Sequence, residues 1–425
     1  MKKTLLTCLA IALSIALNAQ TWTLLTTNSS SNLKGIHFPT ALIGYAVGDN
    51  GTILKTTDGG TTWNSITTLF PGDWFWDVHF VNADTGYVVG ETDPGSNPCG
   101  LGIIIKTTDG GATWLTLASG LASPVRDLFV LDKDTVFVCG GAEQTSGRIA
   151  RSYDGGVTWT PIGLTYYDAM LGGLYFLNSQ HGYCGVYESV FGTYNPGLAT
   201  WLSTIDGGTT FATNVIPSSI SYWNFASDFP DPSHGYITRS TYVGSDSVYL
   251  RKTTDGGTIW NEKAIPSFVG SIYGLDFVTA SVGYIVGASG VIRTTVDGGS
   301  SWSTQTSPSA EDLRSVYFVN SDLGFAAGAN GVILKFTKPT SVAEANASKA
   351  SVRVYPNPSS DLITIQLNSK NSVTSFNITD MMGRVAIQGQ INSETTDVNI
   401  LKLADGIYTL NLDGQDHQSL KLIKN

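Results

Sequence analysis

The chain has 425 residues, a net charge of −10 and a sequence pI near 4.9. Nucleic-acid binding requires a basic footprint, so this acidic balance argues against nucleic acid as a partner. Only 14% of the residues are charged, and glycine, threonine and tyrosine are frequent, a composition that favours an extracellular β protein.

The N-terminal sequence is typical of a secretory signal peptide. Residues 1–19 carry Lys2 and Lys3, then an apolar stretch and the small-residue ending LNA, which indicates a signal peptide cleaved before Gln20. Cys8 stands in a loosely lipobox-like context, but four residues separate it from Lys3, so a lipoprotein is the less favoured interpretation. No other segment reaches about 18 apolar residues, so the sequence predicts no transmembrane segment in the mature chain.

Six copies of one turn sequence, called the boxes below, divide the centre of the chain. They read TTDGGTTW (56–63), TTDGGATW (107–114), SYDGGVTW (152–159), TIDGGTTF (204–211), TTDGGTIW (253–260) and TVDGGSSW (295–302). Their aspartates, spaced 42 to 52 residues apart, are Asp58, Asp109, Asp154, Asp206, Asp255 and Asp297. This period with turn punctuation predicts a propeller with one four-stranded blade per repeat.

The boxes are predicted to be structural. Each aspartate is expected to accept hydrogen bonds from backbone N–H groups two and three residues on. The two glycines supply positive φ, and the tryptophan covers the outer end of the hairpin. One carboxylate per box is too few for calcium, which takes 6–8 oxygen ligands, so we predict no metal.

A second alignment raises the number of blades to seven. Ungapped fifteen-residue stretches, each predicting strands a and b, begin at Lys34, Trp76, Arg126, Gly172, Phe225, Tyr273 and Arg314. Strand c, the box and strand d follow, but the seventh unit ends at 335–340 without box or strand d. The segment TWTLLTT at 21–27 copies the segment after a box, with Trp22 in the box-tryptophan position. We therefore predict a seven-bladed propeller over 20–340, closed by its N-terminal strand, with no free sheet edges.

The consensus S/T-x-D-x-G-x-x-W resembles the Asp-box, or BNR, repeat of sialidases and related propellers. The seven-unit pattern is similar to the photosystem II assembly-factor propellers and their bacterial relatives. These resemblances imply an all-β fold and a non-catalytic scaffold or binding role. The Arg-Ile-Pro signature of sialidases is absent, and the functional arginine cluster of the assembly factors cannot be carried over residue by residue.

Topology predicts where a ligand would bind. The seven stretches begin on the face opposite the boxes, where long b–c connections such as 91–102 and 187–202 (with Phe191, Tyr194 and Trp201) also lie. Aromatic and basic residues on one face with long loops are typical of a binding surface, although aromatics there also plug propeller channels. The predicted ligand-binding residues are Lys34, Trp74, Trp76, Arg126, Trp223, Phe225, Tyr273 and Arg314.

The alternative function is a secreted glycan hydrolase. Asp77 and Asp127 occupy the same position in neighbouring units, and inverting enzymes place two carboxylates about 6.5–9.5 Å apart. No other catalytic motif is present, and no cofactor is predicted. The structural alternative is a pair of solvated or turn-capping aspartates.

Three cysteines remain after signal removal: Cys99, Cys139 and Cys184. Cys139 and Cys184 lie one position apart in strand b of neighbouring units, where small apolar residues are usual. Buried free thiols are therefore favoured over one disulfide with a spare cysteine.

After a small polar linker at 341–350, residues 351–425 read as a small all-β module. This module resembles the C-terminal sorting domain of type IX secretion cargo in Bacteroidota. The matching residues are Tyr355, Pro356, Asn357, Pro358, Gly383, Arg384, Gly406, Ile407, Tyr408, Lys421 and Lys424. The resemblance implies the type IX machinery as a partner, export across the outer membrane, removal of the domain, and release or attachment to surface lipopolysaccharide. On the propeller itself, the expected partner is a surface glycan or protein.

Overall fold

In the computed structural model, two compact units are distinguished, Met1–Pro339 and Thr340–Asn425. The described residues are 21–66, 70–92, 100–121, 123–141, 146–167, 169–188, 198–217, 222–223, 226–241, 248–265, 270–338, 352–355, 359–367, 373–380, 385–391, 393–404, 406–414 and 418–424. Within these ranges no helix has the length and apolar character needed to cross a membrane.

Seven antiparallel sheets form the first unit, which confirms the predicted all-β propeller. The chain begins with β1 (Thr21–Leu25) and continues with blade 1: β2 (Leu33–His37), β3 (Gly44–Gly48), β4 (Ile53–Thr56) and β5 (Asn64–Ser65). Blade 2 is β6 (Trp74–Phe80), β7 (Gly86–Thr92), β8 (Leu101–Thr107) and β9 (Leu115–Leu121). Blade 3 is β10 (Val125–Val130), β11 (Val136–Gly140), β12 (Ser146–Ser152) and β13 (Thr160–Tyr167). Blade 4 is β14 (Ala169–Phe176), β15 (Gly182–Glu188), β16 (Leu198–Thr204) and β17 (Ala212–Pro217).

In blade 5 the innermost strand consists of two pieces, both paired with the same neighbour. This blade is β18 (Tyr222–Trp223), β19 (Ser227–Asp228), β20 (Gly235–Thr241), β21 (Val248–Thr253) and β22 (Asn261–Ile265). Blade 6 is β23 (Ile272–Phe277), β24 (Gly283–Gly287), the 3-10 turn Ala288–Gly290, β25 (Ile292–Thr295) and β26 (Ser303–Gln305). Blade 7 is β27 (Leu313–Asn320), β28 (Leu323–Gly328), the 3-10 turn Ala329–Gly331 and β29 (Ile333–Thr337).

The N-terminal strand supplies the outer strand of blade 7. β1 pairs antiparallel with β29, with Trp22 opposite Phe336. The innermost strands contact one another in sequence around the ring, and β27 of blade 7 contacts β2 of blade 1. The first and last strands of the propeller, β1 and β29, thus pair in the same blade and close the ring. This pairing occupies the edge of β29, which would otherwise be free to pair with another chain.

Each box is a turn held by hydrogen bonds to its aspartate, but the donors are not the residues that the sequence predicted. In the first box, Asp58 Oδ1 accepts a hydrogen bond from Thr62 N, four residues on, at 2.9 Å, rather than from residues two and three on. Two successive glycines with positive φ, Gly59 and Gly60 (67° and 83°), carry the chain around the carboxylate to that fourth residue. Thr62 donates its hydroxyl as well as its N–H, and these bonds lower the pKa of Asp58 to about 2.

Each box is also held by the preceding blade. Cations at the end of strand c and tyrosines in strand b donate to the carbonyl of the first box glycine in the next blade. The bonds are Lys55 to Gly110 (2.6 Å), Lys106 to Gly155 (2.8 Å), Lys252 to Gly298 (3.2 Å), Lys335 to Gly59 (2.7 Å), Arg151 to Gly207, Tyr45 to Gly110 (2.9 Å) and Tyr87 to Gly155 (3.1 Å). The boxes therefore stabilise the junctions between blades as well as single hairpins.

The second unit contains two antiparallel sheets. One is formed by β30 (Val352–Tyr355), β31 (Leu362–Leu367) and β34 (Thr395–Asn399). The other is formed by β32 (Val373–Thr379), β33 (Val385–Gln390), β35 (Gly406–Gly414) and β36 (Gln418–Lys424). Ile365 of the first sheet and Ile378 and Leu410 of the second lie in one buried cluster, so this unit has a core of its own.

Candidate functional site

Five of the predicted ligand-binding residues lie at β-bulges. The pairing between the first two strands of a blade skips one residue at Lys34, Trp76, Arg126, Tyr273 and Arg314. A bulge removes its residue from the ladder and changes the direction of its side chain. These side chains therefore occupy equivalent points around the ring, at the start of the innermost strands. We call this side the rim face.

Lys34 lies against two tryptophans of the next blade. Its Nζ is 3.6 Å from the centroid of the Trp76 ring, 4.1 Å from that of Trp74, and 2.5 Å from Asp49 Oδ1. Burial lowers the pKa of Lys34 to about 8, although the hydrogen bond and charge of Asp49 oppose this shift. Only 5% of the Lys34 side chain is exposed, so it organises the surface rather than offering its ammonium group to a ligand.

The bulged residues continue on both sides of Lys34. Arg126 Cζ lies 4.2 Å from the Trp76 centroid, and Arg126 Nε donates to the Gly141 carbonyl at 3.0 Å. On the other side, Arg314 Cζ lies 5.9 Å from the centroid of Tyr273. The result is an arc of aromatic and basic side chains across blades 6, 7, 1, 2 and 3, all partly exposed except that of Lys34. We call it the rim cluster, and it consists of Lys34, Trp74, Trp76, Arg126, Tyr273 and Arg314.

Two other predicted residues are not brought into this arc. Trp223 ends β18 of blade 5, and its side chain lies outside the described part of the structure, as does the whole of Phe225. Trp201, predicted in a long loop, instead lies in β16 and is buried, 4.3 Å from Trp260 between ring centroids. Strands β15 and β16 extend further than predicted, which places Trp201 in the core between blades 4 and 5.

Sequence reasoning missed the acidic side chains beneath the rim cluster. Asp49 accepts from Asn32 Nδ2 at 2.9 Å as well as from Lys34, and Glu91 Oε1 accepts from Trp76 Nε1 at 3.0 Å. Both acids are buried. A signal was available for Asp49, since it stands in a DNG turn where blades 6 and 7 have Ala288 and Ala329.

Asp77 and Asp127 lie side by side in the wall of the central channel. Asp77 accepts from its neighbour Val78 N at 2.8 Å and from Leu128 N of the next blade at 3.4 Å. Asp127 accepts from Leu174 N of blade 4 at 2.9 Å. Burial, then the charge of Asp127, raises the pKa of Asp77 well above its usual range, and burial raises the pKa of Asp127.

This geometry differs from that of a hydrolase pair. Catalytic carboxylates stand about 5–5.5 Å apart in retaining and 6.5–9.5 Å apart in inverting glycosidases, which leaves room for the sugar or a water molecule. Catalytic carboxylates also need oxygens that are free to reach the substrate. Asp77 and Asp127 instead satisfy backbone N–H groups on the unpaired edges of neighbouring innermost strands.

The same bridging recurs at other junctions. Backbone N–H groups of the following blade donate to His37 Nδ1 (from Phe80, 3.3 Å), Asp228 Oδ2 (from Phe277, 2.5 Å) and Asp276 Oδ2 (from Phe318, 2.7 Å). Burial lowers the pKa of His37 and raises those of Asp228 and Asp276. Among the described residues, no group of three or more His, Cys, Asp or Glu side chains is arranged to hold a metal ion.

The remaining sequence-predicted residues are placed as follows. Cys139 and Cys184 are buried free thiols, and Cys99 lies outside the described residues. In the second unit, Tyr355 ends β30, Gly406 begins β35, and Tyr408 donates to the Ala404 carbonyl at 3.0 Å. Lys421 and Lys424 lie in β36, with Lys424 buried. Pro356, Asn357, Pro358, Gly383 and Arg384 lie outside the described residues.

Comparison with known families supports both halves of this architecture. Residues 353–425 match the family described as secretion system C-terminal sorting domain. Residues 15–204 match the family described as photosynthesis system II assembly factor YCF48. The chain combines a propeller similar to the YCF48 family over residues 15–204 with a unit similar to the secretion sorting domain. The sorting domain implies contact with the secretion system and type IX export to the cell surface or the medium.

Individual relatives of the propeller are distant. The chain is 22% identical over 307 residues to the chloroplastic photosystem II stability/assembly factor HCF136 of Arabidopsis thaliana, covering 59% of this chain and 72% of that protein. A solved structure of YCF48 bound to D1 peptide is 20% identical, with a TM-score of 0.59, and the match covers 75% of this chain and 97% of that one.

A glycoside hydrolase also shares the fold of this propeller. The GH74 enzyme of Niastella koreensis is 14% identical, with a TM-score of 0.57 over 95% of this chain and 74% of that one. At these identities, the solved structures establish the fold alone.

Proposed function

We propose that the propeller is a non-catalytic binding module, delivered to the cell surface or medium by its sorting domain, and that its rim face binds a surface glycan or protein. The observation that carries this proposal is the rim cluster. Aromatic and arginine side chains dominate binding energy at protein interfaces, and here they form one arc on one face. Their positions are fixed by bulges on rigid strands, so little conformational entropy is lost when a ligand binds.

Two further observations support a binding role. The buried acids Asp49 and Glu91 fix Lys34 and Trp76 from below, so the exposed edges of the cluster are pre-organised. Named relatives of the propeller are assembly factors, and one solved relative is described as bound to a peptide. In contrast, Asp77 and Asp127 are occupied by backbone N–H groups, which disfavours the alternative of a glycan hydrolase.

The proposal is tested with the purified mature chain on arrays of envelope and host glycans and proteins. Trp76→Ala or Arg126→Ala should weaken capture by about 1–2 kcal/mol, or roughly 5- to 30-fold, without product formation. Val157→Ala, an exposed site on the box face, is the matched control and should bind as the wild type does. Turnover of a polysaccharide that Asp77→Asn or Asp127→Asn abolishes would establish the hydrolase instead.

A further inference from the structure

A cavity of about 210 Å³ lies between blades 2 and 3. Its walls are largely apolar, with Ile104 on the blade 2 side and Val138, Ala150 and Trp159 on the blade 3 side. Protein interiors are close-packed, so a void of this size between two blades requires an explanation.

Comparison of the repeats gives that explanation. In strand c, the residue aligned with Leu54 packs against the preceding blade. At the junctions before blades 1, 2, 4 and 7, that residue is Leu54, Ile105, Leu202 and Leu334, and all four are buried. In blade 3 it is Ala150, which lines the cavity, and in blades 5 and 6 it is Arg251 and Arg293. Blade 3 thus has a small side chain at a position where every other blade has a large one, which leaves space at this junction.

Arg148 gives the cavity its polar end. It is exposed, lines the same space, and belongs to the same strand as Ala150. Within the described parts of the chain its guanidinium makes no hydrogen bond or ion pair, and no carboxylate lines the cavity. A cationic group beside an apolar space is complementary to a ligand with an apolar body and an anionic head.

We propose that this cavity binds a small amphiphilic carboxylate, with a single aromatic ring or a short branched chain between blades 2 and 3 and its carboxylate at Arg148. The size fits, because an apolar cavity of about 150 Å³ is known to hold benzene. A guanidinium recognises a carboxylate through two parallel N–H donors. This site does not depend on the proposed function of the rim face.

The test uses 3-phenylpropionate and its neutral analogue 3-phenylpropanamide, titrated calorimetrically into the mature chain. The acid should bind saturably and at least fivefold more tightly than the amide. Arg148→Ala should remove that preference. Ala150→Leu, which introduces the leucine found in blades 1, 4 and 7, should weaken both by more than tenfold, whereas Ala264→Leu on an exposed strand should change neither. Absence of saturable binding, equal affinity for acid and amide, or unchanged binding by Ala150→Leu would each overturn the proposal.

Discussion

Trp22→Ala tests whether β1 closes the propeller. Trp22 is 5% exposed, and its ring lies 6.3, 5.9 and 5.4 Å from those of Tyr284, Phe318 and Phe336, in the core between blades 6 and 7. Truncation of a buried tryptophan costs about 3–5 kcal/mol through lost burial and the cavity left behind. The unfolding entropy is about 2.1 cal/mol/K per residue, and the propeller has roughly 320 residues. Dividing a loss of about 4 kcal/mol in the free energy of unfolding by this total entropy gives a fall of about 6 °C in Tm.

The assay is urea and thermal unfolding of the mature chain, followed by far-UV circular dichroism. Leu24→Ala is the matched control, because Leu24 lies in the same strand but is 53% exposed, and it should change the free energy of unfolding by less than about 0.5 kcal/mol. Deletion of residues 21–27 should cost at least as much as Trp22→Ala. A Trp22→Ala variant within about 1 kcal/mol of the wild type would refute the closing role of β1.

Removal of residues 351–425 should leave a folded propeller that stays in the periplasm. Cell fractionation with immunoblotting measures where the truncated chain is, and finding it outside the cell would contradict this expectation. Asp127→Ala should cost about 1–3 kcal/mol, because a backbone N–H of the next blade loses its acceptor, whereas Asp127→Asn retains an acceptor and should cost less than half of that. Since burial raises the pKa of Asp127, the folded state keeps a proton that the unfolded state loses above its pKa of about 3.9, so the wild type should lose stability relative to Asp127→Asn as the pH rises above about 4. A pH-independent difference would exclude a raised pKa. Lys335→Met breaks the bond to the Gly59 carbonyl and should cost about 1.5–3 kcal/mol, whereas Lys338→Met at an exposed site should have an effect below about 0.5 kcal/mol in thermal unfolding.

Much of the fold was predictable because each blade repeats the same local signals. The boxes mark the c–d turns, and the tryptophan of TWTLLTT predicts the pairing of β1 with blade 7. The split innermost strand of blade 5 was not predictable, since Tyr222–Trp223 and Ser227–Asp228 pair with the same neighbour only through tertiary context. The hydrogen bonds that the box aspartates accept were predicted from the wrong donors. The path of the chain through two successive glycines with positive φ sets which N–H group reaches the carboxylate, and the residue types alone do not define that path.

The candidate site was predictable in its position but not in its chemistry. Repeat alignment places Lys34, Trp76 and Arg126 at one repeat position, yet the bulges that present them have no sequence signature of their own. Asp77 and Asp127 share a repeat position in sequence. Only the structure shows their carboxyl groups hydrogen-bonded to neighbouring backbone, because that contact depends on how closely adjacent blades approach.

The most direct test of the binding role measures capture of immobilised envelope and host glycans and proteins by the purified mature chain and by Trp76→Ala. The rim cluster predicts at least one saturable ligand whose affinity falls at least fivefold in Trp76→Ala and is unchanged in Val157→Ala. Equal affinity of the wild type and Trp76→Ala for every captured ligand would contradict a binding role for the rim face. Polysaccharide turnover that depends on Asp77 would contradict the non-catalytic role.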